Sequence, residues 1–278
     1  LSKDPNCGPA EFAVPIETDP GLTSQVLRFV NSSYFGFPRE ISNVKTAITL
    51  VGMRTIKNFA LWSAVFSLMP NPKCGPFDLR CLWQDSLRRA LFARKLAKLL
   101  GAKDVEEPFA AALLQDMAVP LLAKEFPTEY LELLTTRSDG QNRLSSLERE
   151  RFGCAHSDVA GAMARKWNVP EWMARLIEQH TDIAELVDHC RERPGEVAVA
   201  LSALLPANHD PSWPEREEFL GFYNRLAFQE NAPIDAVLAA VDAEFVDFAP
   251  VLKISTPKKS LAEYLADEHL ADDAEAAG

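Results

Sequence analysis

The sequence has few cysteines, a shortage of basic residues and no long apolar run, and each shortage argues against a class of protein. The five cysteines form no CxxC pair, which disfavours a disulfide framework or a zinc knuckle and favours a reducing cytoplasm. Lysine and arginine total 29 against 40 acidic residues, so nucleic acids and anionic membranes are disfavoured as partners. Without a run of about 18 apolar residues, the sequence predicts no membrane-spanning segment.

Alternation of apolar and polar residues, which half-buried strands need, is not sustained anywhere in the chain. Apolar residues instead recur at helical spacing, and 278 residues of which 47% are hydrophobic are enough for a sizeable core. Asp19 before Pro20, and Asp78 before a long periodic segment, are typical of helix starts. The sequence therefore predicts an all-α fold.

Proline-rich stretches and a change in charge divide the chain into four predicted segments. Residues 1–16 read as a truncated or irregular start, and 271–278 as an acidic mobile tail. Between them we expect a main domain at 17–204, with helical halves 17–69 and 78–204, and a C-terminal helical extension at 205–270 that packs on it. Because the chain opens with leucine, we expect a fragment or a processed start.

Three ionisable residues fall on helix faces that otherwise read as core. Asp116 lies at helical spacing from apolar residues in 109–113, and His156 and His180 repeat this arrangement in their own segments. Charges are rarely buried without a partner, so the pattern suggests a metal site, a paired polar cluster or the remnant of a metal site. The simplest structural role for Asp116 is that of a carboxylate hydrogen-bonded by His156 or His180.

Basic residues also recur along the predicted helix that follows Asp78, from Arg88 and Arg89 to Arg94, Lys95 and Lys98. Such a run can bind phosphate. It is more often the solvated face of a helix, which is the interpretation we favour here.

Several motifs occur in a characteristic order. They are DPGL at 19–22, LRFVNSSYFG at 27–36, AITLVG at 47–52, LWQDS at 82–86, ALLQDM at 112–117 and ERFGCAH at 150–156, with a final histidine at 180. In this order and spacing they resemble the HDOD domain, a helical relative of the metal-dependent HD phosphohydrolases. The resemblance covers roughly residues 17–181 and implies a multi-helix HD-like bundle with additional C-terminal helices.

The chain departs from the catalytic pattern of those relatives at two positions. Gln115 replaces the histidine of the HD pair, and Asp85 stands where an earlier histidine is usual. A glutamine carbonyl is a weak ligand for transition metals. The resemblance thus implies a vestigial metal-site cluster of Asp85, Gln115, Asp116, His156 and His180. We expect no catalytic residue, no cofactor and no metal; if a metal binds, its ligands are Asp116, His156 and His180.

The resemblance implies a bacterial, cytoplasmic and non-catalytic signalling scaffold that acts through protein contacts, next to an upstream sensory or receiver domain. It leaves two alternatives open. One is a metal-dependent phosphohydrolase acting on nucleotides or cyclic dinucleotides, with Asp85 as a substitute ligand. The other is a sensor of nucleotides or other small ligands that has kept the pocket without turnover.

Overall fold

The computed structural model describes residues 8–32, 35–138, 142–208, 210–226, 232–250 and 252–267, and the regular secondary structure in these ranges is helical throughout. The helices are α1 Pro9–Glu17, α2 Pro20–Val30, α3 Val44–Val51, α4 Met53–Leu68, α5 Leu79–Leu99, α6 Glu106–Leu114, α7 Val119–Glu125, α8 Pro127–Ser138, α9 Leu144–Phe152, α10 His156–Lys166, α11 Glu171–Glu178, α12 Ile183–Leu186, α13 Pro194–Ser202, α14 Arg216–Asn224, α15 Ile234–Phe248 and α16 Leu261–Ala266. The predicted all-α class is confirmed.

Two helix starts follow directly from capping residues. The Asp19 carboxylate accepts a hydrogen bond from the Leu22 amide at 3.0 Å, with Pro20 as the first residue of α2. The Asp78 carboxylate accepts from the Arg80 amide at 2.8 Å and begins α5. In both cases a side-chain oxygen satisfies an amide that has no partner inside the helix. Residues 9–17, by contrast, form α1, so the expectation of an irregular start is wrong for this stretch.

The chain divides into two compact units, Leu1–Leu68 with Val246–Ser255 and Met69–Phe245 with Thr256–Gly278. In the first unit Phe29 stacks on Phe59, with ring centroids 4.3 Å apart, and meets the edge of Phe248. The sequence-based boundaries at 204 and 270 stay predictions. The tail at 271–278 lies outside the described residues, as do residues 1–7.

Helix α5 lies at the centre of the second unit, packed on α6 and α13. Its inward residues Leu87, Leu91 and Leu96 are fully buried. Residues 110–112 of α6 are buried alanines, and their small side chains allow the α6 backbone to pack close to α5. No helix was predicted at residues 194–202, which form α13. Because Val197 to Leu201 are all buried, this helix lacks the polar face by which an amphipathic helix is recognised in a sequence.

Asp116 does not lie on a helix, contrary to the expectation from its spacing. Helix α6 ends at Leu114, residues 115–118 form turns, and α7 begins at Val119. A proline at 120 cannot donate to the residue 116 carbonyl, and its ring would clash with that carbonyl in a continuous helix. The Asp116 carbonyl accepts from the Val119 amide at 3.0 Å instead. The turn still directs the Asp116 side chain inward.

The arginine run on α5 is not a solvated face, so that interpretation is wrong. Arg88 and Arg94 are buried, whereas Lys98 is exposed. Arg88 donates to the Asn208 side chain at 3.2 Å and to the Lys259 carbonyl, and Arg94 lies over the Phe109 ring. Because α5 is packed on several sides, its arginines find partners inside the unit. In the described residues, no helix is long and apolar enough to cross a membrane.

Candidate functional site

Three of the five predicted site residues lie together in the second unit. Asp116 comes from the turn after α6, His156 is the first residue of α10, and His180 lies in the turn after α11. The two histidine Nε2 atoms are 3.1 Å apart. Asp116 Oδ1 lies 3.4 Å from Nε2 of His156 and 3.6 Å from Nε2 of His180. All three side chains are buried, so the cluster is an interior feature.

Glu148 holds His156 in this position. The Glu148 carboxylate accepts from the backbone amide of His156 at 2.7 Å and contacts the ring Nδ1 at 2.6 Å. It also accepts from the Tyr130 hydroxyl. Gly153, with φ of 76°, ends α9 in the left-handed conformation and lets the chain turn back, so that α9 and the start of α10 meet at this contact.

Glu148 is a site residue that the sequence analysis missed. Its side chain is completely buried although its neighbours Arg149 and Glu150 are exposed. The signal available in the sequence was a carboxylate eight residues before His156, on the preceding helix. Carboxylates that orient a histidine in this way fix the ring and its protonation.

His180 is oriented by the backbone. Its Nδ1 donates to the Ile177 carbonyl at 2.6 Å, which directs Nε2 towards Asp116. Burial lowers the pKa of His180, since an imidazolium there would be poorly solvated, and the nearby positive charge of His156 acts in the same direction. His180 is therefore the neutral member of the cluster.

His156 and Asp116 carry opposite charges. Burial alone would lower the pKa of His156, but Glu148 and Asp116 outweigh it and raise the pKa to about 10. Burial alone would raise the pKa of Asp116, but Arg89 and His156 hold it well below the usual range. At neutral pH the site thus pairs an imidazolium with two carboxylates.

Arg89 completes the charge balance, and sequence analysis did not place it here. Its Nη1 forms an ion pair with Asp116 Oδ2, the carboxylate oxygen that faces away from the histidines. With Arg89 and His156 positive and Asp116 and Glu148 negative, these four groups are electrically neutral. The only sequence signal was the basic run to which Arg89 belongs, which was interpreted as a solvated helix face.

The remaining two predicted residues do not join the ligand group. Asp85 is buried and accepts from the Asn208 amide at 3.0 Å. Burial raises its pKa to about 7 even though Arg89 and Arg88 lie near it. Gln115 is fully buried and its Oε1 lies 3.4 Å from the Ser202 hydroxyl, while its Nε2 has no hydrogen-bond partner among the described residues. The two positions where a histidine is usual are thus occupied by Gln115, whose amide nitrogen is a donor, and by Asp85, whose carboxylate is bound to the Asn208 amide.

A cavity of about 100 Å³ adjoins the cluster, and Asp85, Arg89, Asp116, His156 and His180 all line it. It is also lined by Arg137 and Arg143 and by the apolar residues Phe77, Leu82 and Leu134. Arg137 forms ion pairs with Asp210 at 2.9 Å and with Glu215 at 3.2 Å. Such a volume holds several water molecules or a small ligand.

The donors of this site only partly suit the metal centre of an HD-type hydrolase. The spacing of Asp116 Oδ1 and the two Nε2 atoms suits three ligands of one cation. The rest of the site does not, because a guanidinium already pairs with the carboxylate and Gln115 presents an amide nitrogen that has no partner in the described part of the chain. A divalent ion would add positive charge to a neutral group. These residues form a group of potential ligands, but they do not fit the full metal centre of such an enzyme.

Similarity to known proteins is consistent with this helical architecture. One curated relative, an uncharacterized protein of Treponema pallidum (strain Nichols), is 21% identical over 199 residues, which is 71% of this chain. The matched region spans only 38% of that relative's length.

Solved structures share the fold at low sequence identity. An HDOD domain protein with unknown function from Geobacter sulfurreducens is 22% identical, with a TM-score of 0.63, covering 86% of this chain and 87% of its own. A Shewanella amazonensis SB2B protein provisionally named a phosphohydrolase is 20% identical, with a TM-score of 0.60, covering 96% and 86%. A Marinobacter aquaeolei VT8 protein provisionally named for signal transduction is 19% identical, with a TM-score of 0.66, covering 90% and 55%.

The family comparison is more direct. The model of the HDOD domain matches residues 1–183, which is well over half of the chain. The motifs that carry the resemblance, including Asp116 and His156, lie inside this range. The chain belongs to the HDOD domain family.

Proposed function

We propose that the chain is a non-catalytic regulatory domain of a bacterial, cytoplasmic signalling protein, acting through contacts with protein partners. An upstream sensory or receiver domain would supply the signal. The observation that carries the proposal is the ion pair between Arg89 and Asp116 inside the residual ligand group. Asp116 is the carboxylate a hydrolytic metal would need, and here it is committed to a guanidinium.

The protonation of His156 supports the same conclusion. A metal ligand must be a neutral imidazole, whereas the pKa of His156 is raised to about 10. Binding a cation would require loss of that proton and rearrangement of the contact with Arg89. The cluster instead stabilises the junction of three segments, the turn after α6, the start of α10 and the turn after α11.

The competing function is metal-dependent phosphate ester hydrolysis. It is favoured by the convergence of Asp116, His156 and His180, whose ligand atoms all lie within 4.8 Å of one another. Two similar structures bear provisional phosphohydrolase names. The two proposals differ in what Asp116 does, since a hydrolase loses turnover without it and a scaffold has no turnover to lose.

A hydrolysis assay separates the two proposals. The purified chain is incubated with Mn²⁺, Fe²⁺ or Zn²⁺ and a panel of nucleotides, cyclic dinucleotides and bis(p-nitrophenyl) phosphate. We expect no product above the level given by Asp116→Asn. Asp188→Asn is the matched control, because Asp188 is an exposed aspartate paired with Arg225. Turnover that survives in Asp188→Asn and disappears in Asp116→Asn would overturn the scaffold proposal.

A further inference from the structure

Two arginines outside the residual metal cluster also line the cavity, together with Glu215, which pairs with one of them. Arg137 and Arg143 line it, next to an apolar wall that includes Phe77, Leu82 and Leu134. The whole cavity lies within the second unit. Two guanidinium groups next to apolar surface are a combination suited to a small molecule with an anionic group on an apolar body.

Arg137 is a fixed and buried donor. Its side chain is 9% exposed, and its Nη2 is held by Asp210 and Glu215. Its Nη1 has no hydrogen-bond partner among the described residues. Buried guanidinium nitrogens are nearly always hydrogen-bonded, so this donor is available to a partner from outside the described residues.

Arg143 is the less compensated of the two cations. Among the described residues Arg143 pairs with Glu218, with Nη1 and Oε1 3.6 Å apart, and the Arg143 side chain is only 22% exposed. Burial lowers its pKa, and the like charges of Arg149 and Arg137 act in the same direction, which shows that the acids around it do not fully offset the cost of its charge. An anion next to Arg143 would reduce that cost.

The start of α9 adds to the positive potential. Arg143 immediately precedes α9, a helix of nine residues, and Leu144 and Ser145 of its first turn line the same cavity. Amide groups at a helix N-terminus favour a neighbouring negative charge, and the Ser145 hydroxyl supplies a further donor. Two guanidinium groups, a helix start and a serine therefore line the same cavity.

We propose that this cavity binds a small molecule with a single oxyanion group, phosphate or carboxylate, on an apolar body. Arg143 and Arg137 hold the oxyanion at the start of α9, and the body packs on Phe77, Leu82 and Leu134. The inference goes beyond the proposed scaffold function. It makes the second unit a ligand-binding unit whether or not Asp116 ever held a metal.

The test uses the whole chain and isothermal titration calorimetry. The probes are phenyl phosphate and benzoate, which share an aromatic ring and differ in the oxyanion, with benzyl alcohol as the neutral analogue and inorganic phosphate as the anion without an apolar body. We expect saturable binding of at least one aromatic anion, tighter than inorganic phosphate, and none of benzyl alcohol. If neither aromatic anion binds, or if benzyl alcohol or inorganic phosphate binds as tightly, the proposal is wrong.

Variants locate the binding in the cavity. Arg143→Gln should lower the affinity for the more tightly bound aromatic anion by about tenfold, since a charge-assisted hydrogen bond is lost. Arg151→Gln is the matched control, because Arg151 is exposed on the same helix and does not line the cavity. Arg143→Lys keeps the charge and should retain more affinity than Arg143→Gln, with melting temperature checked for each variant. Equal weakening by Arg143→Gln and Arg151→Gln would contradict the assignment, as would unchanged affinity in Arg143→Gln.

Discussion

Arg89 and Asp116 form an ion pair in the interior of the second unit, with side chains only 11% and 7% exposed. The pair links α5 to the turn between α6 and α7, and it leaves the other carboxylate oxygen facing His156 and His180. A fixed guanidinium thus supplies positive charge next to the aspartate that a metal would require. The proposed loss of catalysis rests on this contact.

Removal of Arg89 should strongly destabilise the protein. Arg89→Gln leaves Asp116 buried with less compensating charge, and breaking one side of a buried pair typically costs about 3 kcal/mol. Urea denaturation of wild type and variant measures the difference. Arg80→Gln is the control, because Arg80 pairs with Asp78 at an exposed position and its loss should have no measurable effect. Similar unfolding free energies for the two variants would contradict the importance of the buried pair.

His156 should remain protonated well above neutral pH. Its folded pKa, about 10, lies above the value of an unfolded histidine, near 6.5. The stability it contributes is therefore fully present below about pH 6.5 and is lost as the pH rises towards 10. Side-chain NMR should show no titration of this ring between about pH 6 and pH 8. A midpoint near the ordinary histidine value would show that Glu148 and Asp116 do not hold the proton.

Replacement of Glu148 should change both stability and the titration of His156. Glu148→Gln removes the charge that faces Nδ1, so the pKa of His156 should fall, with a loss of about 3 kcal/mol in unfolding free energy. The same NMR titration and urea denaturation measure the two effects. Glu150→Gln, at an exposed position on the same helix, should leave both unchanged. An unchanged pKa of His156 in Glu148→Gln would show that Glu148 does not stabilise the protonated ring.

Asp85 should destabilise the protein as it ionises. Its folded pKa, about 7, lies above the unfolded value near 3.9, so its contribution is present at low pH and is lost as the pH rises through 7. Asp85→Asn keeps an oxygen that can accept from the Asn208 amide and removes the titration. The variant should gain about 2 kcal/mol over wild type between pH 5 and pH 8. A pH-independent difference between the two proteins would show that Asp85 does not titrate in this range.

The sequence predicted those parts of the fold that depend on local chemistry. The helix starts at Asp19 and Asp78 were predictable because the capping side chain lies next to the amides it serves. The end of α6 before Asp116 was not predicted, since a proline at 120 limits where a helix continues but does not fix the residue at which it ends. Helix α13 was missed because a helix buried on all sides has no polar face to mark it.

The site was predicted only in part for a related reason. Asp116, His156 and His180 were found through motifs in fixed order. Arg89 and Glu148 were missed because their partners lie elsewhere in the chain, 27 residues away for Arg89 and eight for Glu148. Whether an arginine on a helix faces solvent or a buried carboxylate depends on which helices pack around it. Sequence periodicity alone does not contain that information.

We propose that Arg89 and the proton on His156 have replaced a metal at this site. The most direct measurement is the metal content of the purified chain after incubation with Mn²⁺, Fe²⁺ or Zn²⁺ and dialysis, determined by mass spectrometry. We expect far less than one metal ion per chain, with no difference between wild type and Asp116→Asn. One metal ion per chain in the wild type, lost in Asp116→Asn, would contradict the account.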